Sequence, residues 1–372
     1  MGEPLTALRI GMVGAGRISG AYLDTLTKAG GLRLTAVTDL DPGRAREAAG
    51  RAGADVAGSV TELVARDDVD AVLNLTIPAA HAEVALAAVA AGKHVYGEKP
   101  LATTREEAAA VLAAARAAGV RVGSAPDTVL GTGTQTARRA VDDGLIGTPV
   151  AATAFMTTPG HEAWHPDPEF YYRPGGGPLL DMGPYYLSAL VHLLGPVVKV
   201  TGAAATPRAE RVIGSGPRAG RRFAVQVATH VTGILEHTGG ALSTLMMSFD
   251  IHAARLPRIE VHGTTGSLSV PDPNGFAGPV ELYENGGWRE LPVSAGHPGA
   301  GRGIGLADLA DALVTGRPHL ASAELAAHVL DVMLTLLDAA ERGAALPVAS
   351  RCERPAPVLP RQAADTGRGD TG

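Results

Sequence analysis

Three groups of residues in this chain have types and spacings that could do chemistry. The first is Gly97-Glu98-Lys99-Pro100, which follows an apolar run. Only four of the 32 basic residues are lysine, at positions 28, 93, 99 and 199, so arginine is the habitual cation. An arginine cannot release a proton near neutral pH, whereas a lysine in a suitable pocket can. The second group is Asp181 and Tyr185, four residues apart in a segment opened by Gly175-Gly176-Gly177. On a helix that spacing puts a carboxylate and a phenol on one face as a paired acid–base site. The third is Gly14-Ala15-Gly16-Arg17-Ile18-Ser19, where glycines permit a tight turn and a close backbone approach.

These groups need elements to hold them. Residues 8–14 read as a short apolar strand running into the glycines, with a helix from about 18 to 28. Further strands are expected at 32–37, 71–75, 94–96 and 120–123, and helices at 44–52, 60–65, 82–91 and 105–118. This alternation implies a parallel, doubly wound α/β sheet. After about Pro126 the pattern changes. Phe223, Val225, Val227, Thr229, Val231 and Leu235 recur at every second residue, the mark of a half-buried antiparallel strand. Strands are also expected at 150–157, 197–205, 241–249 and 259–262. Amphipathic helices around 306–313 and 325–336 should close this second domain. The expected division is therefore a doubly wound α/β domain over 1–126, a second domain over 127–352 and a flexible tail over 353–372.

Composition narrows the partners. A net charge of −6 argues against a nucleic-acid surface. No apolar stretch has the length to span a bilayer, and Met1 to Arg9 shows no leader pattern. The single cysteine, Cys352, points to a reducing compartment, so a cytoplasmic protein without membrane partners is expected. The alanine- and arginine-rich bias suggests a bacterial source.

The glycine turn lies between a strand and a helix, where a pyrophosphate meets backbone N–H groups at the helix N-terminus. Gly14, Gly16, Arg17 and Ile18 are the candidate contacts. Asp39, 23 residues beyond Gly16, ends the second strand, where a carboxylate binds ribose hydroxyls and repels a 2′-phosphate. NAD is the expected cofactor, and Arg44 and Arg46 nearby keep NADP as the alternative. Lys99, before a proline at a strand end, should face the same crevice, where it would lose its charge more easily beside a cationic nicotinamide.

Together, the glycine turn, Gly97-Glu98-Lys99-Pro100 and the Gly-Gly-Gly…Asp181-Met182-Gly183 segment resemble the glucose–fructose oxidoreductase, inositol dehydrogenase and rhizopine-catabolism (Gfo/Idh/MocA) family over about residues 8–350. The resemblance implies an N-terminal Rossmann domain and a C-terminal α/β domain with a large, mainly antiparallel open sheet. It implies a homo-oligomer, dimer or tetramer, and hydride exchange between NAD(P) and a secondary hydroxyl of a sugar, sugar derivative or cyclitol. Lys99 and Asp181 match the family's catalytic lysine and aspartate. Tyr185 stands where many members carry histidine, although some carry tyrosine. Thr76, Pro78 and His81 match a second cofactor turn, with Ala79 where asparagine is frequent, and Glu98 adjoins the catalytic lysine. Some relatives use the redox step only transiently, so a redox-neutral glycoside hydrolase or lyase is an alternative. A non-enzymatic NAD-binding sensor is another.

His161-Glu162-Ala163-Trp164-His165 satisfies the zinc-protease pattern H-E-x-x-H. That chemistry needs both histidines on one helix face, and the flanking prolines oppose a continuous helix. No metal is expected. Instead, the loop should line the substrate pocket through His161, Trp164 and His165, with Tyr172, Arg173 and Asp127 extending the wall.

Overall fold

The first sheet fixes where the glycine turn falls. The computed structural model describes residues 7–359. Strands β1 (Leu8–Val13), β2 (Leu32–Thr38), β3 (Asp55–Val56), β4 (Ala71–Asn74), β5 (His94–Gly97) and β6 (Val122–Ser124) form a parallel sheet in the order β3-β2-β1-β4-β5-β6. Helices α1 (Ser19–Leu26), α2 (Pro42–Ala52), α3 (Val60–Val64), α4 (His81–Ala90) and α5 (Arg105–Ala118) connect them. The strands are nearly continuous apolar runs because the crossover helices bury both sheet faces. Helix ends follow local chemistry. Asp41 accepts the Gly43 and Arg44 N–H groups at the start of α2, and Thr104 with Glu107 forms a capping box on α5. Strand order reverses at β1, which lies between β2 and β4, and this opens a crevice at their C-terminal ends.

Helix α6 (Thr132–Asp142) leads into the second sheet. It contains β7 (Pro149–Thr157), β8 (Val197–Ala205), β11 (His230–His237), β12 (Leu242–Ser248), β13 (Ile259–Gly263), β14 (Ser267–Val270), β15 (Glu281–Glu284), β16 (Gly287–Glu290) and β17 (Leu346–Pro347), while β9 (Glu210–Val212) and β10 (Arg222–Ala224) pair separately. Its order is β16-β15-β14-β13-β7-β12-β11-β8-β17, antiparallel except for β7 with β12. Helices α7 (Pro178–Leu194) and α9 (Ala323–Arg342) share a core with its inner face, including Leu187, Leu190, Leu245, Met247, Val332 and Leu336.

Three expectations are corrected. The single strand read over 222–235 is two, because Val225 N–H bonds to the Ala209 carbonyl and Gln226 N–H to that of Tyr172 before the chain enters β11. Helix α8 (Ile304–Thr315) does not close the second domain: Leu306 and Leu309 pack with Ile10, Met12, Tyr22 and Tyr96 beneath the first sheet. The tail is anchored over 353–359, where Arg354 donates to the His192 and Leu193 carbonyls and Val358 is buried. Its remainder, 360–372, lies outside the described residues. Helix α6 and strands β14–β16 were not legible as elements. Buried Thr132, Thr134, Thr136 and Arg138 interrupt any apolar stripe on α6. Among the described residues no helix is long and apolar enough to cross a membrane.

Candidate active site

At the end of β1 the chain turns tightly under the β4 tip. Gly14 has φ +93°, and a Cβ there would lie 2.7 Å from the Leu75 carbonyl oxygen, so only glycine serves. Above Gly16 nothing approaches within 4 Å of a Cβ position, which leaves room for a ligand. Helix α1 starts next, and its Ncap residue Ile18 supplies no side-chain cap, although the Ser19 and Ala21 N–H groups already donate to the Gly16 and Ile18 carbonyls at 3.1 Å. Asp39 braces the turn: its Oδ2 accepts the Ala15 N–H at 2.6 Å and its Oδ1 the Asp41 N–H at 2.7 Å. Each carboxylate oxygen keeps a lone pair for a ribose hydroxyl. The open glycine turn, the uncapped helix and Asp39 are a donor and acceptor set suited to a dinucleotide.

The second cofactor turn is organised differently from the sequence expectation. The buried His81 ring places Nδ1 2.6 Å from the Pro100 carbonyl and Nε2 3.0 Å from that of Thr76. Thr76 Oγ1 donates to Asn74 Oδ1 at 2.6 Å. His81 and the Thr76 side chain therefore tie the turn through Pro78 to the Lys99 segment, and their polar atoms face protein. Glu98 acts likewise, accepting the Tyr22 hydroxyl at 2.7 Å and the Lys99 N–H at 3.1 Å. Asn74, the polar residue that ends an apolar strand, was overlooked in the sequence.

Lys99 follows β5, and Asp181 lies in the first turn of α7. Lys99 Nζ donates to Asp181 Oδ1 at 2.9 Å and to its carbonyl oxygen at 2.6 Å. The other carboxylate oxygen, Oδ2, is 3.1 Å from His161 Nε2. Tyr185, one helical turn on, presents its ring 5.4 Å from Lys99 Nζ. The structure thus brings Lys99, Asp181, Tyr185 and His161 together. Burial penalises the Lys99 charge, but the Asp181 carboxylate outweighs it and holds the ammonium above its ordinary range. Burial also opposes the Asp181 charge, and Lys99 with His161 overcomes that to bring it to about 2. The pairing with Asp181 thus holds Lys99 charged, and the expected loss of charge concerns the lysine beside a cationic nicotinamide. Burial pushes the Tyr185 phenol up, against the opposing pull of Lys99 and Arg302.

The loop after β7 lines one side. Residues 161–163 make a single 3-10 turn. Glu162 is tied to Arg211 at 2.6 Å and to the Tyr172 hydroxyl, so the geometry of H-E-x-x-H is not formed. The His161 ring packs against Tyr171 and Phe249 at 4.3 and 4.6 Å between centroids. Trp164 is half exposed, with the Arg17 guanidinium 5.7 Å from its ring centre, so this loop meets the glycine turn across the cleft. His165 packs beside Trp164 and Tyr171.

Three expected substrate contacts are not built as such. Tyr172 is fully buried and its hydroxyl accepts the His161 N–H at 3.2 Å, making it a prop for the loop. Arg173 is exposed and pairs with Glu169 at 3.0 Å. Asp127 is fully buried and accepts the Gly303 and Gly305 N–H groups at 2.7 and 3.1 Å, joining the two halves of the chain. The glycines before α7 also serve the protein: a Cβ on Gly176 or Gly177 would strike the Tyr171 or Ala228 carbonyl.

Residues 8–125 match the model of an oxidoreductase family with an NAD-binding Rossmann fold, and residues 134–269 match the GFO/IDH/MocA C-terminal domain. The chain is 32% identical over 269 residues to 1,5-anhydro-D-fructose reductase from Ensifer adhaerens, covering 70% of this chain and 74% of that one. It is 38% identical over 156 residues to inositol 2-dehydrogenase 3 from Saccharopolyspora erythraea, covering 41% and 46%. An NAD binding oxidoreductase from Klebsiella pneumoniae superposes with a TM-score of 0.80 at 26% identity, covering 92% of this chain and all of that one.

Proposed function

The chain belongs to the GFO/IDH/MocA oxidoreductase family, and from that premise we propose that it exchanges a hydride between NAD and a secondary hydroxyl of a sugar, sugar derivative or cyclitol. Lys99 carries the reading. Its ammonium has three hydrogens. Two are committed to Asp181, and the third is free to donate to a substrate oxygen. When bound, nicotinamide supplies the hydride acceptor or donor. Lys99 holds the oxygen whose charge changes and stabilises it electrostatically. Asp181 fixes the ammonium and His161. Tyr185 exchanges the hydroxyl proton, with Lys99 beside it favouring the phenolate. His161, His165 and Trp164 offer polar edges and an aromatic face suited to a polyol ring. Asp39 supports NAD over NADP, since a carboxylate repels a 2′-phosphate.

The test is to supply NAD with a panel of sugars and cyclitols and follow NADH. Accumulation with at least one substrate is expected. Bond cleavage without NADH would favour redox-neutral lyase or hydrolase chemistry. Cofactor binding with neither turnover nor cleavage across the panel would favour a sensor.

A further inference from the structure

A cation that the sequence did not single out lies over Tyr185. Arg302 precedes α8 and reaches back across the site. Its guanidinium carbon is 5.1 Å from the Tyr185 ring centre and 5.8 Å from that of Phe276. Nη2 donates to the neutral Asn274 Oδ1 at 2.7 Å, and the buried Nη1 has no hydrogen-bond partner among the described residues. Contact with two aromatic faces offsets that missing bond. The contrast with Lys99 matters. Lys99 is paired at 2.9 Å with a carboxylate, whereas the Arg302 guanidinium bonds to a neutral amide oxygen. Beside the Tyr185 phenol, the carboxylates that bear on Arg302 are Glu98 and Asp127. Both are already bonded, Glu98 to Tyr22 and the Lys99 N–H, Asp127 to Gly303 and Gly305. The positive charge of Arg302 is therefore less neutralised than that of Lys99, and Tyr185 is its aromatic neighbour on the site side.

We propose that Arg302 is a positioning residue that holds the Tyr185 ring and favours its phenolate, making this phenol usable as the proton-exchanging group. The proposal rests on the assignment of Tyr185 above. The groups facing Tyr185 are Lys99 and Glu98 after β5, Tyr171 on the loop after β7, Asp181 on its own helix and Arg302 before α8. Lys99 alone is a weak aid, because the adjacent Asp181 carboxylate cancels much of its field. An unpaired guanidinium stacked on the ring supplies what that pair does not.

The experiment titrates Tyr185 directly in the full chain, without substrate or cofactor. Protein labelled with fluorotyrosine gives resolved 19F signals, and Tyr185→Phe identifies the one from Tyr185. In Arg302→Gln its ionisation should move up by about one pH unit. In Arg302→Lys, which keeps the charge without the flat stack, it should fall between. An unchanged or lowered ionisation in Arg302→Gln overturns the proposal. If Arg302→Gln does not fold, Arg302→Lys decides: an upward shift supports the proposal and none overturns it. With an identified substrate, the alkaline limb of kcat should move in the same direction, and Arg302→Gln should change kcat no further in a Tyr185→Phe background. A sugar panel that yields no NADH alongside a shifted Tyr185 signal would fault the assigned reaction and leave the Arg302–Tyr185 coupling standing.

Discussion

At the scale of single residues, the site consists of groups whose charges are set by one another. Lys99 and Asp181 are both partly buried, and each remains ionised because the other is there. Tyr185, held up by burial, is protonated at neutral pH. Oxidation of an alcohol must discharge a proton through groups of this kind, so its kcat should climb from pH 7 to 10 while carbonyl reduction slows. A flat profile for both directions would contradict the assignment. Asp127 makes a separate prediction. Burial raises its carboxyl from 3.8 to about 6 against the pull of two backbone N–H groups. A carboxyl raised on folding adds stability below its unfolded value that is lost as pH rises through 6. Two units correspond to about 3 kcal/mol. Asp127→Asn keeps an acceptor for Gly303 and Gly305 and removes the ionisation, so it should melt higher than the parent at pH 8. That advantage should shrink towards pH 4, as measured by thermal unfolding across that range.

Elements decide which of these residues meet. The loop carrying His161 and Trp164 has little regular structure, and the small β9–β10 ribbon supports it from behind. Arg211 on β9 is almost fully buried. It bonds to Glu162 at 2.6 Å, to Asp250 at 2.5 Å and to the Pro159 carbonyl at 3.1 Å. Arg211→Met would strand two carboxylates, at about 3–5 kcal/mol of stability. It should also raise KM for the sugar more than KM for NAD. Equal KM values in parent and variant would mean that the ribbon does not set the loop. This support also marks the limit of what the sequence discloses. The first sheet was legible because buried parallel strands are apolar runs punctuated by glycine and proline. Lys99, Asp181 and Tyr185 could be singled out because a strand end and a helical spacing mark them and because they occur in combination with the glycine turn. Arg211 and Arg302 were not, since their roles depend on partners 49 and 117 residues away. For the same reason His81, Tyr172 and Asp127 look like ligand contacts by residue type, whereas their partners are protein.

Over the whole molecule, the groups proposed to react come from opposite halves. Lys99 ends a strand of the first sheet and Asp181 begins a helix on the second, 82 residues later. Arg17 against Trp164 spans the same two halves. The outer face of the large sheet is less complete. Ile234, Leu242 and Tyr283 are each 40–50% exposed there, beside the Phe155 and Met246 pair. An apolar sheet face of this kind needs cover. We expect a dimer or tetramer by light scattering at micromolar protein, weakened by Ile234→Lys with Leu242→Lys, whereas a monomeric parent would refute this. The central claim is that the Lys99–Asp181 pair across the two halves is where hydride exchange is served. Lys99→Ala tests it most directly, with NAD binding and kcat measured on one preparation. NAD affinity should stay within a few-fold of the parent while kcat falls by about 10²–10⁴-fold. A variant that binds NAD and turns over at the parental rate would contradict the account.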